Sequence, residues 1–411
     1  MSFARLRAIL QSRLRVKLES TPAVIAEVNK EVTKRTNQFQ TKGLTPPPAK
    51  TATVVNSIGS RNWSVRPIDL LHKIGDLTTP VNVNLSQLSA SWATRRYFWA
   101  IAQSAVKTGP FLLSQDARDL DFHQKTLLSD EFGIGFAAMV LEDQFGAGEF
   151  VDISIALDDP QIYQNIQQRG RTQPDYLMWS ELPNSPYYVV ECKGSQSNRA
   201  TSFDQLRRGL EQVPSIAFGS GARPVVTLVV ATCMEEFGTT VFVIDPPPDD
   251  HDQTEKTIKS ERVAERTGVG SYRVPNAEAF ARRIWTAQES SLLKWAGQYR
   301  EATERDVELR PRQVLTQEMP QSAPIETRKT EFGTFAGRSS IAFPELGTGA
   351  IRIFTGVEEE LFRSVMEQSK AAQTIASANQ PRFREAKLQV RRHSPYSSVG
   401  LNGTCMIVEG L

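Results

Sequence analysis

Cysteine is scarce in this chain. Cys192, Cys233 and Cys405 are its three, far apart and in no paired or metal-ligand spacing, which argues against a disulfide scaffold and a zinc site and fits a reducing cytoplasm. Histidine is nearly as sparse, and His72, His123, His251 and His393 are scattered, so a histidine-based metal centre has little support. No apolar run approaches the length of a bilayer crossing, and the first residues lack the apolar core of a secretory signal; the expectation is a soluble protein with no membrane contact. Neither sign of charge dominates. Lys and Arg number 48 against 46 Asp and Glu, a formal net charge of +2, so any attraction for a polyanion has to be local. Gly347, Gly349 and Gly356 come closest to a glycine-rich loop, but no Gly-Lys-Ser/Thr follows them, and turn glycines are the better reading.

What is present is length and one organising stretch. The 411 residues are enough for two or three domains. From Pro174 to Lys193 the chain reads PDYLMWSELPNSPYYVVECK, with an aspartate at the head of one apolar run and a Glu-x-Lys triplet at the tail of the next. A strand projects alternate side chains to opposite faces, so Glu191 and Lys193 point one way and Cys192 the other. If the Tyr176 to Trp179 strand lies beside the Tyr187 to Cys192 strand, Asp175 approaches Glu191. Two carboxylates side by side in an apolar setting repel, and a divalent cation relieves that repulsion. A lysine beside such a site can position water or offset charge on a phosphate.

The flanks carry a pattern of their own. Ser129 to Gln144 has Phe132, Phe136, Met139 and Val140 at helical spacing, with Ser129 or Asp130 as the expected N-cap. Phe150 to Leu157 alternates as a strand. After Lys193, Phe203, Leu206, Leu210 and Val213 mark a second helix, and Pro224 to Cys233 is a β-branched run suited to burial on both faces. The order is helix, three strands, helix, strand. Pro174, Asp175, Glu191 and Lys193 in that order resemble the PD-(D/E)xK signature of the restriction-endonuclease-like nuclease superfamily.

The resemblance implies a magnesium or manganese site held by Asp175 and Glu191, with Lys193 acting on the attacking water and a glutamate from the first helix completing the set. Glu131 is preferred for that place. It opens the expected helix ahead of Gly133 and Gly135, which allow close approach of a strand or a substrate backbone. Glu142 is the alternative, since it lies about three turns further on the same face at roughly 3.6 residues per turn. A first-turn glutamate also simply suits the helix dipole. Relatives often carry a glutamine on the next helix with a tyrosine one turn later; Gln205 is in the right region, but Gly209 stands four residues on, so Gln205 is either a substrate contact or an exposed polar residue. Arg207 and Arg208 are expected to project outward from that helix, either tracking a phosphate backbone or forming a solvated face, with Lys193, Arg199 and Arg223 nearby.

The rest of the chain reads as follows. Residues 1–50 form a basic helical segment and linker, with Phe3, Leu6, Leu10 and Leu14 at helical spacing among Arg5, Arg7, Arg13, Arg15 and Lys17. It reads as a packing helix, a phosphate contact or a transit peptide. A helix around Ala23 to Phe39 and the stiff Thr45 to Lys50 follow. Residues 51–121 are an accessory region with a strand at Thr51 to Ile58 and a helix at Leu88 to Val106, whose Trp92, Tyr97, Phe98 and Trp99 are core rather than base-stacking residues. Residues 122–245 are the nuclease-like core, interrupted at 158–172 by a loop ending in Arg169 and Arg171. Residues 246–325 are a linker and long helix, the helix at Asn276 to Arg305 and a second linker from Asp306. Residues 326–411 are a small α+β domain, with strands near Ala350 to Thr355 and Gly403 to Glu409 and a helix at Val357 to Ala372.

The expected fold class is therefore α/β, a restriction-endonuclease-like core with a helical N-terminal region and a small α+β C-terminal domain. The expected function is metal-dependent hydrolysis of nucleic acid, DNA ahead of RNA, giving 5′-phosphate ends. A prokaryotic defence effector is the leading setting, with repair or mobile-element processing next and a homo-oligomer or partner subunit supplying control. The alternatives are a non-catalytic nucleic-acid-binding or assembly scaffold and a hydrolase of another phosphate ester.

Overall fold

The computed structural model describes residues 8–46, 51–77, 97–101, 108–157, 164–167, 174–182, 185–213, 215–218, 225–246, 271–274, 276–309, 322–342, 350–369, 371–394 and 396–410. Several sequence expectations lie outside these residues, among them Phe3 to Arg7, Trp92, Arg169, Arg171, Arg223 and His251.

The chain is a mixed α/β fold. In order it runs β1 (Leu14–Glu19), α1 (Pro22–Thr41), β2 (Thr53–Val54), β3 (Ser60–Val65), α2 (Pro67–Leu77), α3 (Gln115–Arg118) and α4 (Phe122–Val140), which ends in a π-helical turn at Leu141–Phe145. It continues with β4 (Glu149–Asp152), α5 (Ile153–Leu157), β5 (Gln164–Gln167), β6 (Tyr176–Trp179), β7 (Tyr187–Ser195), α6 (Arg199–Gln212), β8 (Ser215–Phe218), β9 (Val225–Glu235), β10 (Gly238–Asp245) and β11 (Ser271–Val274). The last third holds α7 (Ala277–Trp295), α8 (Tyr299–Leu309), β12 (Glu326–Thr330), β13 (Gly333–Ala342), β14 (Ile351–Glu358), α9 (Glu359–Met366), α10 (Ala372–His393), β15 (Ser397–Val399) and β16 (Thr404–Gly410).

The main sheet has the order β3-β1-β10-β9-β7-β6-β4, with β2 on β10. Strands β4, β6 and β7 form an antiparallel meander, and β9 returns parallel to β7 after α6. Alternation along β7 divides the core into two layers. Tyr188, Val190 and Cys192 join Phe132 and Phe136 of α4 on one face. Tyr187 and Val189 join Leu206 and Leu210 of α6 on the other. Each phenylalanine of that pair is fully buried, a contribution of about 1.5–3 kcal/mol apiece. A smaller sheet has the order β5-β11-β8, and the C-terminal residues make an antiparallel sheet, β12-β13-β14-β16-β15, flanked by α9 and α10.

The structure corrects several boundaries. Leu14, Arg15 and Lys17 lie on β1, not on an amphipathic helix: Leu14, Val16 and Leu18 are buried while Arg15 and Lys17 are exposed, a period of two that pairs β1 in parallel with β10 inside the main sheet. Helix α4 begins at Phe122, capped by Asp121, whose carboxylate accepts from the His123 and Gln124 backbone N–H groups. Ser129 and Asp130 are thus no caps, and Glu131 sits mid-helix. The strand expected at Phe150 to Leu157 stops at Asp152, because the Asp152 carboxylate accepts from Ser154 N at 2.8 Å and turns the chain into α5. The single helix of 276–305 is two, broken at Gly297 with φ +84°. Asp306, expected in a linker, is buried in α8 and paired with Lys294 at 2.7 Å. The helix expected at Val357 is delayed to Glu359, since Val357 is on β14, and the expected strand at Thr51 to Ile58 is reduced to two residues.

Candidate functional site

The β6–β7 register decides the geometry. Tyr176 pairs with Val190 and Leu177 with Val189, so Asp175, one step before Tyr176, falls opposite Glu191. The Asp175 backbone N–H donates to Val190 O at 3.1 Å, extending the ladder by one rung. Its side chain accepts from the Cys192 backbone N–H at 2.7 Å. On β7, Lys193 stands on the same face as Glu191 and forms an ion pair with its Oε1. The acids and lysine picked out from the sequence therefore meet at one end of a buried meander.

Two packing features fix that end. A Cβ on Gly194 would meet Ser129 O at 1.7 Å, and one on Gly133 would meet the Lys193 carbonyl carbon at 2.8 Å. Helix α4 thus crosses β7 backbone to backbone, which only glycine on both sides permits. Gln205 of α6 is half-buried rather than exposed, and its Nε2 donates to Gly194 O at 2.9 Å. Gly209 stands where a side chain would strike Val229. Glycine at 209 is therefore a packing requirement here.

Charge at the site is unbalanced, with two carboxylates for one ammonium. Burial raises the Asp175 pKa, and the acids Asp130 and Asp152 add to it, while Lys193 and the Cys192 N–H pull the other way. Glu191 is pushed up to about 8, by burial first and by Asp175 second, with Lys193 offsetting only part. Burial works against the Lys193 ammonium, but Glu191 and Asp175 hold its pKa above the ordinary value. Among the described residues, Glu191 Oε2 is buried with no hydrogen-bond partner. Such an acceptor costs about 1–3 kcal/mol unless something donates to it or binds it.

The acids of α4 and of the π-helical turn that follows it lie in two separate places. Asp130 feels Lys193 and is felt at Asp175, whereas the Glu131 charge is felt at Tyr176. Glu142 is remote from the site: it pairs with Lys73 at 3.2 Å and with Lys387, and accepts from the Leu401 backbone N–H. Asp130 and Asp152 were not singled out from the sequence; the ladder pairing of Asp152 with Tyr176 is what places it nearby. Arg207 is buried between Asp204 and Glu211 rather than projecting outward, because α6 supplies acids three residues before and four after it; Arg208 is exposed and bonded to Asp204.

No three carboxylate, histidine or cysteine side chains converge as a cation cage among the described residues. The pair Asp175 and Glu191 still fits a hard dication, which is satisfied by one or two carboxylates and retained water. The raised Glu191 pKa and its orphaned oxygen are what such an ion would relieve. No helix among the described residues is long and apolar enough to cross a membrane. Comparisons with family models, curated proteins and solved structures each return no match.

Proposed function

We propose that the chain is a metal-dependent nuclease that hydrolyses phosphodiester bonds, DNA ahead of RNA, on a restriction-endonuclease-like core. The observation that carries this reading is the opposition of Asp175 and Glu191 across the β6–β7 ladder with Lys193 beside them. The sequence of α4, the β4-β6-β7 meander, α6 and a parallel β9 supports it. So does the alternation on β7, which leaves both functional side chains on one face.

Asp175 and Glu191 would hold magnesium or manganese, which would supply positive charge to polarise a phosphodiester and make water a better nucleophile. The chain's own groups do the rest. Burial and mutual repulsion raise the pKa values of Glu191 and Asp175, and a bound cation would favour their charged forms. Lys193, held charged by those acids, orients the attacking water and donates to the phosphate oxygens as negative charge builds. Water oxygen bonds to phosphorus as the water gives up a proton to solvent, the bond to the 3′ oxygen breaks, and that oxygen takes a proton from solvent. Asp130, on α4, is coupled to Lys193 by charge, and we assign it a positioning role there.

Cleavage of plasmid, single-stranded DNA and RNA in magnesium, manganese or chelator tests this, with Asp175→Ala and Lys193→Ala beside the wild type. Metal-dependent cutting lost in both variants is expected. Absence of cutting by the wild type, with nucleic-acid binding unchanged in the variants, would instead favour a non-catalytic scaffold.

A further inference from the structure

At the far end of α4 from the candidate site, a cavity of about 510 Å³ opens between the π-helical turn, α10 and the start of the main sheet. Twelve residues of helix rise separate Asp130 from Glu142, about 18 Å at roughly 1.5 Å per residue. The floor is a locked ionic network. Lys387 reaches Asp143 at 2.8 Å and also binds Glu142, and Arg391 holds Asp143 at 3.0 Å. The rim differs. Arg13, Arg384 and Arg392 line the cavity and are exposed, and no acid pairs with them among the described residues. Arg13 donates to a backbone carbonyl, Arg391 O, at 2.7 Å, which fixes one guanidinium at the mouth.

We infer that this cavity binds phosphate groups of a nucleotide, whether free or within a nucleic-acid strand. Guanidinium forks match phosphate oxygens in pairs, and three of them around one opening suit a ligand with more than one phosphate charge. Trp63, Leu388 and Leu401 add apolar lining for the rest of such a molecule, and the volume lies in the range of small-molecule sites. The wall itself contains the π-helical turn Leu141–Phe145, a distortion that is frequent at functional sites. The proposal does not rest on the nuclease reading, since none of these residues belongs to the β6–β7 site.

Calorimetric titration of the full chain in chelator, with inorganic tripolyphosphate, adenosine triphosphate and a short single-stranded oligonucleotide, tests it. The double variant Arg384→Glu/Arg392→Glu changes only exposed side chains, so folding is preserved and can be checked by circular dichroism. We expect it to weaken binding about tenfold or more. Arg282→Glu, on an exposed position of α7, should leave affinity within about twofold. Binding of tripolyphosphate and adenosine triphosphate assigns the site to free nucleotides. Binding of the oligonucleotide alone, lost in the double variant, assigns it to a strand backbone. No binding of any probe by the wild type, or equal binding by wild type and double variant, overturns the proposal.

Discussion

The two ends of the helical stretch from Asp130 to Glu142 meet buried charge in opposite ways. At the C-terminal end, Glu142 is surrounded by Lys73, Lys387 and the Leu401 N–H, and its pKa falls to about 2 despite full burial. At the other end, Glu191 has one lysine and an opposing aspartate, and its pKa climbs to about 8. Burial is common to both, so the number and sign of partners decides the outcome. A fold that can neutralise a buried glutamate on one side of a helix leaves one half-neutralised on the other. The difference is that the chain's own cations compensate Glu142 fully and Glu191 only in part.

The comparison breaks first under charge deletion. Lys387→Met takes from the buried Glu142 and from Asp143 a cation that both pair with, and should cost about 3–5 kcal/mol. Lys193→Met removes the equivalent partner of Glu191, yet should cost only about 1 kcal/mol or less, because a carboxyl already near pKa 8 is mostly protonated at neutral pH. Urea denaturation of the two variants in chelator measures the contrast. Equal losses would mean that Glu191 is as firmly ionised as Glu142.

Backbone contact supplies the next largest effect. Gly194→Ala forces a methyl into Ser129 O, and neither the helix nor a central strand can retreat freely, so a loss of about 1–3 kcal/mol is expected. Gly238→Ala, whose new methyl would meet only Pro110 at 3.9 Å, should be nearly neutral by the same thermal-melt assay. A benign Gly194→Ala would show that α4 and β7 are not in direct contact at Gly194.

The pH response should carry opposite signs at the two ends. Glu191, raised from 4.5 to about 8, contributes stability that is complete below pH 4.5 and is lost as pH rises toward 8. Glu142, lowered from 4.5 to about 2, contributes stability above pH 4.5 that is lost as pH falls toward 2. Each group sets a slope of at most about 1.4 kcal/mol per pH unit. Glu191→Gln should therefore flatten the decline of unfolding free energy between pH 5 and pH 8 in chelator, whereas Glu142→Gln should alter only the acid limb. A decline unchanged by Glu191→Gln would place its cause elsewhere, for example at Asp76, raised to about 6 by burial.

How far these two ends were legible in sequence follows from the kind of signal each one leaves. The Asp175, Glu191 and Lys193 end is written locally: alternation along one strand and a short meander bring it together, and Gly133 marks the close crossing. The Glu142 end depends on Lys73 and Lys387, hundreds of residues apart in part, and no local period announces that pairing. Helix α10 was not anticipated, because Pro381 interrupts its pattern. Strand β1 was obscured by an overlapping helical spacing that ends on its first residue, Leu14. The sequence marks the start of α4 about two turns late, at roughly 3.6 residues per turn, because its first residues, such as the exposed Phe122, give no apolar stripe, leaving the Asp121 cap as the sole local cue.

That misplaced start matters for the smallest effect, the division of labour between Asp130 and Glu131. With α4 beginning at Phe122, adjacent positions diverge by about 100° around the helix, so the two acids cannot serve one point equally. Asp130 couples to Lys193 and Asp175, and Glu131 to Tyr176. Asp130 is exposed, so Asp130→Asn should change stability by no more than about 0.5 kcal/mol. As a neighbour that orients Lys193, it should nonetheless lower metal-dependent cleavage about 10–100-fold, with Glu131→Gln having the lesser effect. Single-turnover rates at saturating manganese separate the two. A larger loss from Glu131→Gln would return that residue to the site and leave Asp130 as a solvated turn of the helix.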